Sequence, residues 1–301
     1  MIYTVTLNPS LDYIITIDEI NIGKLNEADD YLVLAGGKGI NVSLVLNNLG
    51  IDTIATGFIA GFTGNEIIRQ LDESSCKHDF ISLEEGYNRI NIKLKSKEET
   101  EINAKGPTIS EPNIQSLIQK LSLVTKDDYI VLSGSVPKNL PEDIYQRIMK
   151  KVSNTGAKIV LDTRKKYLEY GLEMKPFLIK PNKDELEEIY GVSIYSKEDI
   201  EKYARKLQQS GAENVLVSLD KDGAMLLDCM GQVHYQNAPQ GKLINSVGSG
   251  DSMVAGFLAG YIQSDRNYLE ALKMGVAAGS ASAFSRFLAT KKEIIELKQQ
   301  I

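Results

Sequence analysis

The sequence predicts an α/β protein: a mostly parallel central sheet between two helical layers, with a small antiparallel β lid attached. Two observations predict it. Short apolar runs alternate with amphipathic segments along most of the chain, as strand–helix units do when their strands are covered on both faces. Two stretches, about 12–34 and 87–105, break that rhythm with strand-like pieces and no helix between them. Strands of period two have one wet face or cover something. Because these pieces are separated in sequence, they read as a lid inserted into one domain spanning 1–301, not as a second sequential domain.

The elements follow in order. Ile2 to Leu7 reads as a strand, Gly39 to Asn48 as a helix and Thr53 to Ile59 as a strand. Thr63 to Glu73 is amphipathic, with Ile67, Ile68 and Leu71 on one side. Tyr13 to Ile17 and Asn88 to Leu94 are the lid strands; in the second, Ile90, Ile92 and Leu94 face one way and Arg89, Asn91 and Lys93 the other. Tyr129 to Leu132 is a buried-strand candidate. Pro141 sits where a first-turn proline opens a helix through Met149 and Val152. Lys158 to Leu161 and Phe177 to Lys180 are further strands, the second ended by Pro181. Ser196, followed by Glu198 and Asp199, marks a helix start, and Asn214 to Leu219 is again a strand. Small residues Gly256, Ala259 and Gly260, with Ala277, Ala278, Gly279 and Ala281, let two helices pack closely. Thr290 and Glu293 form a capping-box pattern before the last helix.

Composition narrows the function. The 301 residues are 43% apolar, enough for a sizeable core, and carry a net charge of −6. A pI near 5.2 argues against nucleic-acid binding, which needs a basic face. An anionic substrate must then meet a local positive site. Cys76 and Cys229 form no CxxC pair, so a disulfide framework is excluded, and both are expected as buried or half-buried thiols. The longest apolar stretch, Met253 to Ile262, is about half a membrane span, and the first residues lack a signal-peptide pattern. A cytoplasmic protein with no membrane partner is expected.

Three glycine-rich or proline-marked motifs could carry chemistry. In Asn245–Phe257 a glycine-rich turn runs into a helix beginning near Ser249. The first amides of such a helix lack internal partners and sit at the positive dipole end, and Gly248 and Gly250 remove the Cβ atoms that would hold an anion away. Asp251 in the first turn is either a helix-start charge or a base that takes the proton of an attacking hydroxyl. With two histidines in the chain, a carboxylate is the favoured base. In Ala35–Val42 glycines again precede a helix; the turn either caps that helix or lets a small ligand approach the backbone, with Asn41 pointing at it. In Lys180–Glu185, Asn182 and Glu185 share a helical face, as a capping box or as a pair holding magnesium through its waters. Arg89 is an isolated cation among apolar neighbours: a solvated charge, or a bidentate phosphate partner. Ser133–Ser135, after a strand end, is a weaker ligand signal.

Taken together, AGGKGINV (35–42), GSVP (134–137), KPNKDEL (180–186), VSLDKDGA (217–224) and NSVGSGDSMVAGF (245–257) resemble the ribokinase-like (PfkB) carbohydrate kinase family over essentially the whole chain. TLNPSLDY (6–13) and NRINIKLK (88–95) resemble its branch that phosphorylates sugar phosphates. The resemblance implies a ribokinase-like three-layer fold, ATP and Mg²⁺, and a homodimer through the lid. It implies transfer to fructose 1-phosphate, with tagatose 6-phosphate as the alternative acceptor and a silent sugar-phosphate-binding regulator as a rival of another class. By the same resemblance, Asp251 is the base and Gly248, Ser249 and Gly250 the anion hole. Asp12, Gly37, Lys38, Asn41, Arg89 and Ser135 line the acceptor site. Asn182 and Glu185 serve magnesium and the ATP phosphates, and Ser218 and Gly223 the nucleotide side. Asn88 and Thr163–Lys166 depart from the family pattern, the latter near the nucleotide mouth.

Overall fold

The computed structural model describes residues 1–301. In chain order its first elements are β1 (Ile2–Thr6), β2 (Ser10–Thr16), β3 (Asp30–Gly36), α1 (Lys38–Asn48), β4 (Thr53–Ile59), α2 (Gly61–Glu73), β5 (Ile81–Ser82), β6 (Arg89–Lys95) and β7 (Thr100–Asn103). Next come α3 (Glu111–Leu121), β8 (Tyr129–Ser133), α4 (Ile144–Val152), β9 (Lys158–Asp162), α5 (Lys165–Leu172), β10 (Leu178–Ile179), α6 (Lys183–Tyr190), α7 (Lys197–Gln209) and β11 (Asn214–Ser218). The chain closes with β12 (Ala224–Leu227), β13 (Val233–Gln236), α8 (Ser249–Gln263), α9 (Tyr268–Ala283) and α10 (Lys291–Lys298).

Nine strands form the central sheet in the order β13-β12-β11-β10-β9-β8-β1-β4-β5. Its pairings are parallel except β11–β12 and β12–β13. Period two divides the strand side chains between two cores. Ile130, Leu132, Ile159, Leu161, Val215 and Val217 pack on the side of α3, α4, α6 and α7. Tyr129, Val131, Val160 and Leu216 pack on the side of α1, α8 and α9. This is the expected three-layer arrangement, and it explains why these strands are apolar on both faces.

Strand order reverses at β1, which lies between β4 and β8. At such a reversal the carboxyl ends of the strands open a crevice. A buried hydroxyl chain fixes α1 beside it: Thr4 Oγ1 meets Ser43 Oγ at 2.7 Å, and Ser43 Oγ meets Thr53 Oγ1 at 2.8 Å. One helix thus locks to two strands, and the chain ends where Thr53 Oγ1 donates to the Ile2 carbonyl at 3.0 Å.

The lid is a second sheet, β3-β2-β6-β7. Its outer pairs are antiparallel, while the central pair, β2 with β6, is parallel. The physical reason is the insertion: β2 and β6 leave the core in the same direction, after β1 and β5, which run parallel in the central sheet. The polar face of β6 is the covered one. Asn91 and Lys93 are each 5% exposed, whereas Ile90 is 39% exposed. The lid therefore turns its charged side onto the crevice and its apolar side outward.

Some expectations are corrected. Pro141 does not open α4; it precedes it in a turn whose carbonyl accepts from the Ile144 amide at 3.2 Å. The strand expected over Phe177 to Lys180 pairs only at Leu178 and Ile179. Cys76 is buried as expected, but Cys229 is exposed, because it sits in the β12–β13 turn. The expected N-cap at Ser196 and the capping box at Thr290 are both present. So is the close α8–α9 contact: a Cβ at Gly256 would stand 2.5 Å from the Met274 carbonyl oxygen.

Candidate active site

The crevice gathers residues from the ends of several strands and the starts of two helices. At the start of α8, Gly248 is the N-cap in the left-handed conformation (φ 80°). A side chain there would be strained, and its Cβ would lie 2.6 Å from Leu288 Cδ2. The cap makes no side-chain hydrogen bond. The Gly250 and Asp251 amides have no partner within the protein, so they are open to an incoming acceptor of hydrogen bonds. The Ser249 amide instead makes a long 3.3 Å bond to the Ser246 carbonyl, and its hydroxyl donates to the same oxygen at 2.8 Å.

Asp251 follows in the first turn of α8 and is 6% exposed. Asn41, in the first turn of α1, donates to its Oδ2 at 2.8 Å. That bond orients the carboxylate and draws together helices 210 residues apart in sequence. Burial pushes the Asp251 pKa up to about 6, against the pull of Lys38 and with help from the Asp162 carboxylate. A carboxylate so tuned is a usable proton acceptor near neutral pH.

Beside it lies a charge relay that the motifs did not reveal. Lys38 Nζ donates to Asp162 Oδ1 at 3.0 Å, and Lys180 Nζ stands 3.9 Å from the same oxygen. Burial disfavours the Lys38 charge, yet Asp162 and Asp251 overcome it and raise its pKa. Burial likewise opposes the Asp162 charge, but Lys180 and Lys38 hold its pKa below the usual range. Asp162 Oδ2 remains buried without a partner. Lys180 reaches the anion turn: a Cβ at Gly250 would lie 3.2 Å from its Nζ.

Of the residues expected to line the acceptor site, Asp12 and Arg89 meet under the lid, whereas Lys38 and Asn41 join Asp162 and Asp251. Asp12 Oδ2 lies 2.9 Å from Lys93 Nζ, and Asp12 Oδ1 accepts from Ser10 Oγ and Asn91 Nδ2, each at 2.9 Å. Arg89 donates to the Asn8 carbonyl and to Asn91 Oδ1, both at 3.2 Å, and makes no salt bridge with a carboxylate. Burial and the nearby Arg164 lower its pKa, against the pull of the Asp12 carboxylate. A half-buried guanidinium that no carboxylate bonds keeps donors free for an anion. Ser135 accepts from Asn8 Nδ2 at 3.3 Å. Gly37 caps α1 at φ 124°, where a Cβ would stand 2.7 Å from Thr6 Cγ2.

On the other side, Asn182 and Glu185 do form a capping box: the Glu185 amide donates to Asn182 Oδ1 at 2.7 Å and the Asn182 amide to Glu185 Oε2 at 2.8 Å. Glu185 and Lys180, with Arg164 and Lys165, line a cavity of about 300 Å³. Ser218 adjoins Asn182 through a β-bridge. Gly223 lies in the β11–β12 turn, where a Cβ would meet the Gln236 carbonyl oxygen at 2.0 Å; no contact carries it to the catalytic cluster.

Asp162, Lys180, Asn91 and Lys93 are the site residues that sequence reasoning missed. Two signals were available: a charged residue ending an apolar strand, at Asp162 and Lys180, and the alternation in β6 that puts Asn91 and Lys93 on the face of Arg89.

Comparisons with known proteins agree with this geometry. A family model described as "pfkB family carbohydrate kinase" matches residues 5–293. The chain is 44% identical over 301 residues to 1-phosphofructokinase of Bacillus subtilis (strain 168), covering 100% of this chain and 98% of the relative. It is 36% identical over 302 residues to D-tagatose-1-phosphate kinase of Bacillus licheniformis, covering 100% and 98%. The crystal structure of phosphofructokinase-2 from Escherichia coli in complex with substrates and products superposes with a TM-score of 0.92 at 25% identity, covering 99% of this chain and 98% of that one. The paired glycine turns, the buried first-turn aspartate and the lid thus stand in a chain that belongs to the pfkB family of carbohydrate kinases.

Proposed function

We propose that this chain is a 1-phosphofructokinase, transferring the γ-phosphoryl group of ATP to D-fructose 1-phosphate to give D-fructose 1,6-bisphosphate. One observation carries the reading: a buried aspartate and an open amide turn stand in a crevice that also holds, under the lid, a guanidinium no carboxylate bonds directly. That pairing suits an acceptor that is itself anionic. The likeness to the B. subtilis enzyme supports the choice of sugar.

In this reading the free hydroxyl of the sugar attacks the γ-phosphorus as its proton passes to the Asp251 carboxylate. The bond from phosphorus to the ADP oxygen breaks. The Gly248 to Gly250 turn and Lys180 face the charge on the moving phosphoryl group, and Asn41 keeps Asp251 aimed. Arg89 holds the acceptor phosphate side, while Asp12, Gly37 and Ser135 line the sugar and Lys38, bonded to Asp162 near Asp251, lines the acceptor site at its catalytic end. Asn182, Glu185, Ser218 and Gly223 belong to the nucleotide side. Such transfer asks mostly for position and electrostatics.

The nucleotide would bring magnesium. One oxygen of Glu185 is left over from the cap, and Asp162, flanked by two residues lining the same cavity, has a buried oxygen without a partner. Few and partly spent, these donors fit an ion that keeps its waters. Glu185, Asn182 and Asp162 would hold it through water, where it would neutralise phosphate charge.

A tagatose phosphate is the second acceptor, favoured by the likeness to the B. licheniformis enzyme. An ADP-release assay with Mg²⁺ and ATP across fructose 1-phosphate, fructose 6-phosphate, tagatose 1-phosphate and tagatose 6-phosphate tests both. The highest kcat/KM is expected on fructose 1-phosphate. A higher value on a tagatose phosphate would move the assignment, and sugar binding without ADP release would favour the silent regulator. The lid's exposed apolar face, with Tyr31 61%, Ile90 39% and Ile102 55% exposed, supports a homodimer joined there. No helix is long and apolar enough to cross a membrane, and a cytoplasmic place belongs to the same proposal.

A further inference from the structure

We propose that Asn91 and Lys93 are positioning residues that tie Arg89 to Asp12, so that the lid reads the phosphate and the sugar of the acceptor as one unit. This rests on the function proposed above.

The parallel register of β2 and β6 sets Asp12 beside Asn91, and period two places Arg89, Asn91 and Lys93 on one face. Asn91 is 5% exposed and serves both neighbours: its Oδ1 accepts from Arg89 Nη1 at 3.2 Å, and its Nδ2 donates to Asp12 Oδ1 at 2.9 Å. The chemistry fixes which way the amide points. A guanidinium only donates and a carboxylate only accepts, so the flipped amide would lose both bonds. One orientation of the Asn91 amide therefore serves both groups at once.

Lys93 completes the network. Its side chain is 6% exposed, and its ammonium lies 2.9 Å from Asp12 Oδ2, its one acidic partner. With Ser10 Oγ and Asn91 Nδ2 on Oδ1, both oxygens of Asp12 are engaged by the lid itself. A buried ion pair is a poor source of stability, because desolvation offsets the attraction; its use here is to fix a geometry. The separation between the cation that meets the acceptor phosphate and the carboxylate that meets the sugar is then set by the pleat of β6. Either substitution would free Asp12 or Arg89 to swing, and binding of the acceptor would weaken without direct loss of a contact.

Steady-state kinetics of Asn91→Ala, Lys93→Met and Lys93→Arg test this, with the acceptor panel and ATP each varied. In the first two, the acceptor KM should rise about tenfold or more, as misplaced binding groups cause, while kcat and the ATP KM change by less than about threefold. Lys93→Arg should recover most of the loss. In Arg89→Ala/Asn91→Ala, the effects should be less than additive. An acceptor KM within about twofold of wild type in both single variants overturns the proposal. So does a common fall in every parameter with no rescue by arginine, the mark of a structural role. If the wild type releases ADP with no phosphorylated ketohexose, the proposed function fails and this inference fails with it. If the wild type is active and the variants are unmoved, only this inference fails.

Discussion

Asp251 shows how one side chain serves two ends at a cost. Its burial raises its pKa to about 6, which keeps it available as a base near neutrality. Asp251→Asn should lower kcat on the order of 10²-fold or more, as loss of a general base does. In the wild type kcat/KM should climb with pH through about 6 as the carboxyl ionises, and a pH–rate profile without that limb would remove Asp251 from the role. The stability consequence has a definite sign. The folded-state pKa lies above the ordinary 3.8, so the folded protein holds this proton more tightly than the unfolded chain. Ionisation then costs stability in full above about pH 6 and costs nothing below about pH 4. Asparagine imitates the neutral form, so Asp251→Asn should raise Tm at pH 8 and lose that advantage towards pH 4. A thermal melt at the two pH values checks it.

At the scale of elements, the cap and the middle of α8 ask different things of glycine. Gly248 caps the helix with φ 80°, and its turn is the one proposed to meet the transferred phosphoryl group. Gly248→Ala should cost about 1–2 kcal/mol from left-handed strain alone, and should also lower turnover. Gly256, inside the helix, lets α9 approach: an alanine Cβ would stand 2.6 Å from that of Ala278. Gly256→Ala should cost about 1–3 kcal/mol by overpacking, with the acceptor KM unchanged. Denaturation and kinetics on the pair separate a site turn from a packing seam. If both variants changed KM alike, that division would be wrong. The α6 cap belongs to the same scale. Glu185 is committed by one oxygen to closing its own helix, so in the proposed reading only the other would face a magnesium ion.

At the scale of the molecule, the lid turns its polar face inward and its apolar face outward, which argues for a second copy over it. Sedimentation velocity should find a dimer, and Ile90→Lys with Ile102→Lys should shift it to monomer; a wild-type monomer at micromolar concentration would end that reading. The layered sheet, the lid segments and the glycine turns were legible in the amino-acid sequence alone. Each rests on local periodicity or on a short motif, and β4 and the helix starting at Ser249 came out where the pattern placed them. The resemblance carried Asp251 and Arg89 for the same reason, since both lie inside contiguous motifs. Only the tertiary structure decided the rest. Asn41 meets Asp251 across 210 residues and Lys38 meets Asp162 across 124, because the strand order reverses at β1 and brings distant strand ends together. Which face of β6 is covered, and that Asn91 and Lys93 serve Arg89 and Asp12, depends on how the lid closes over the crevice. Alternation along one strand has two faces and no means of naming the inner one.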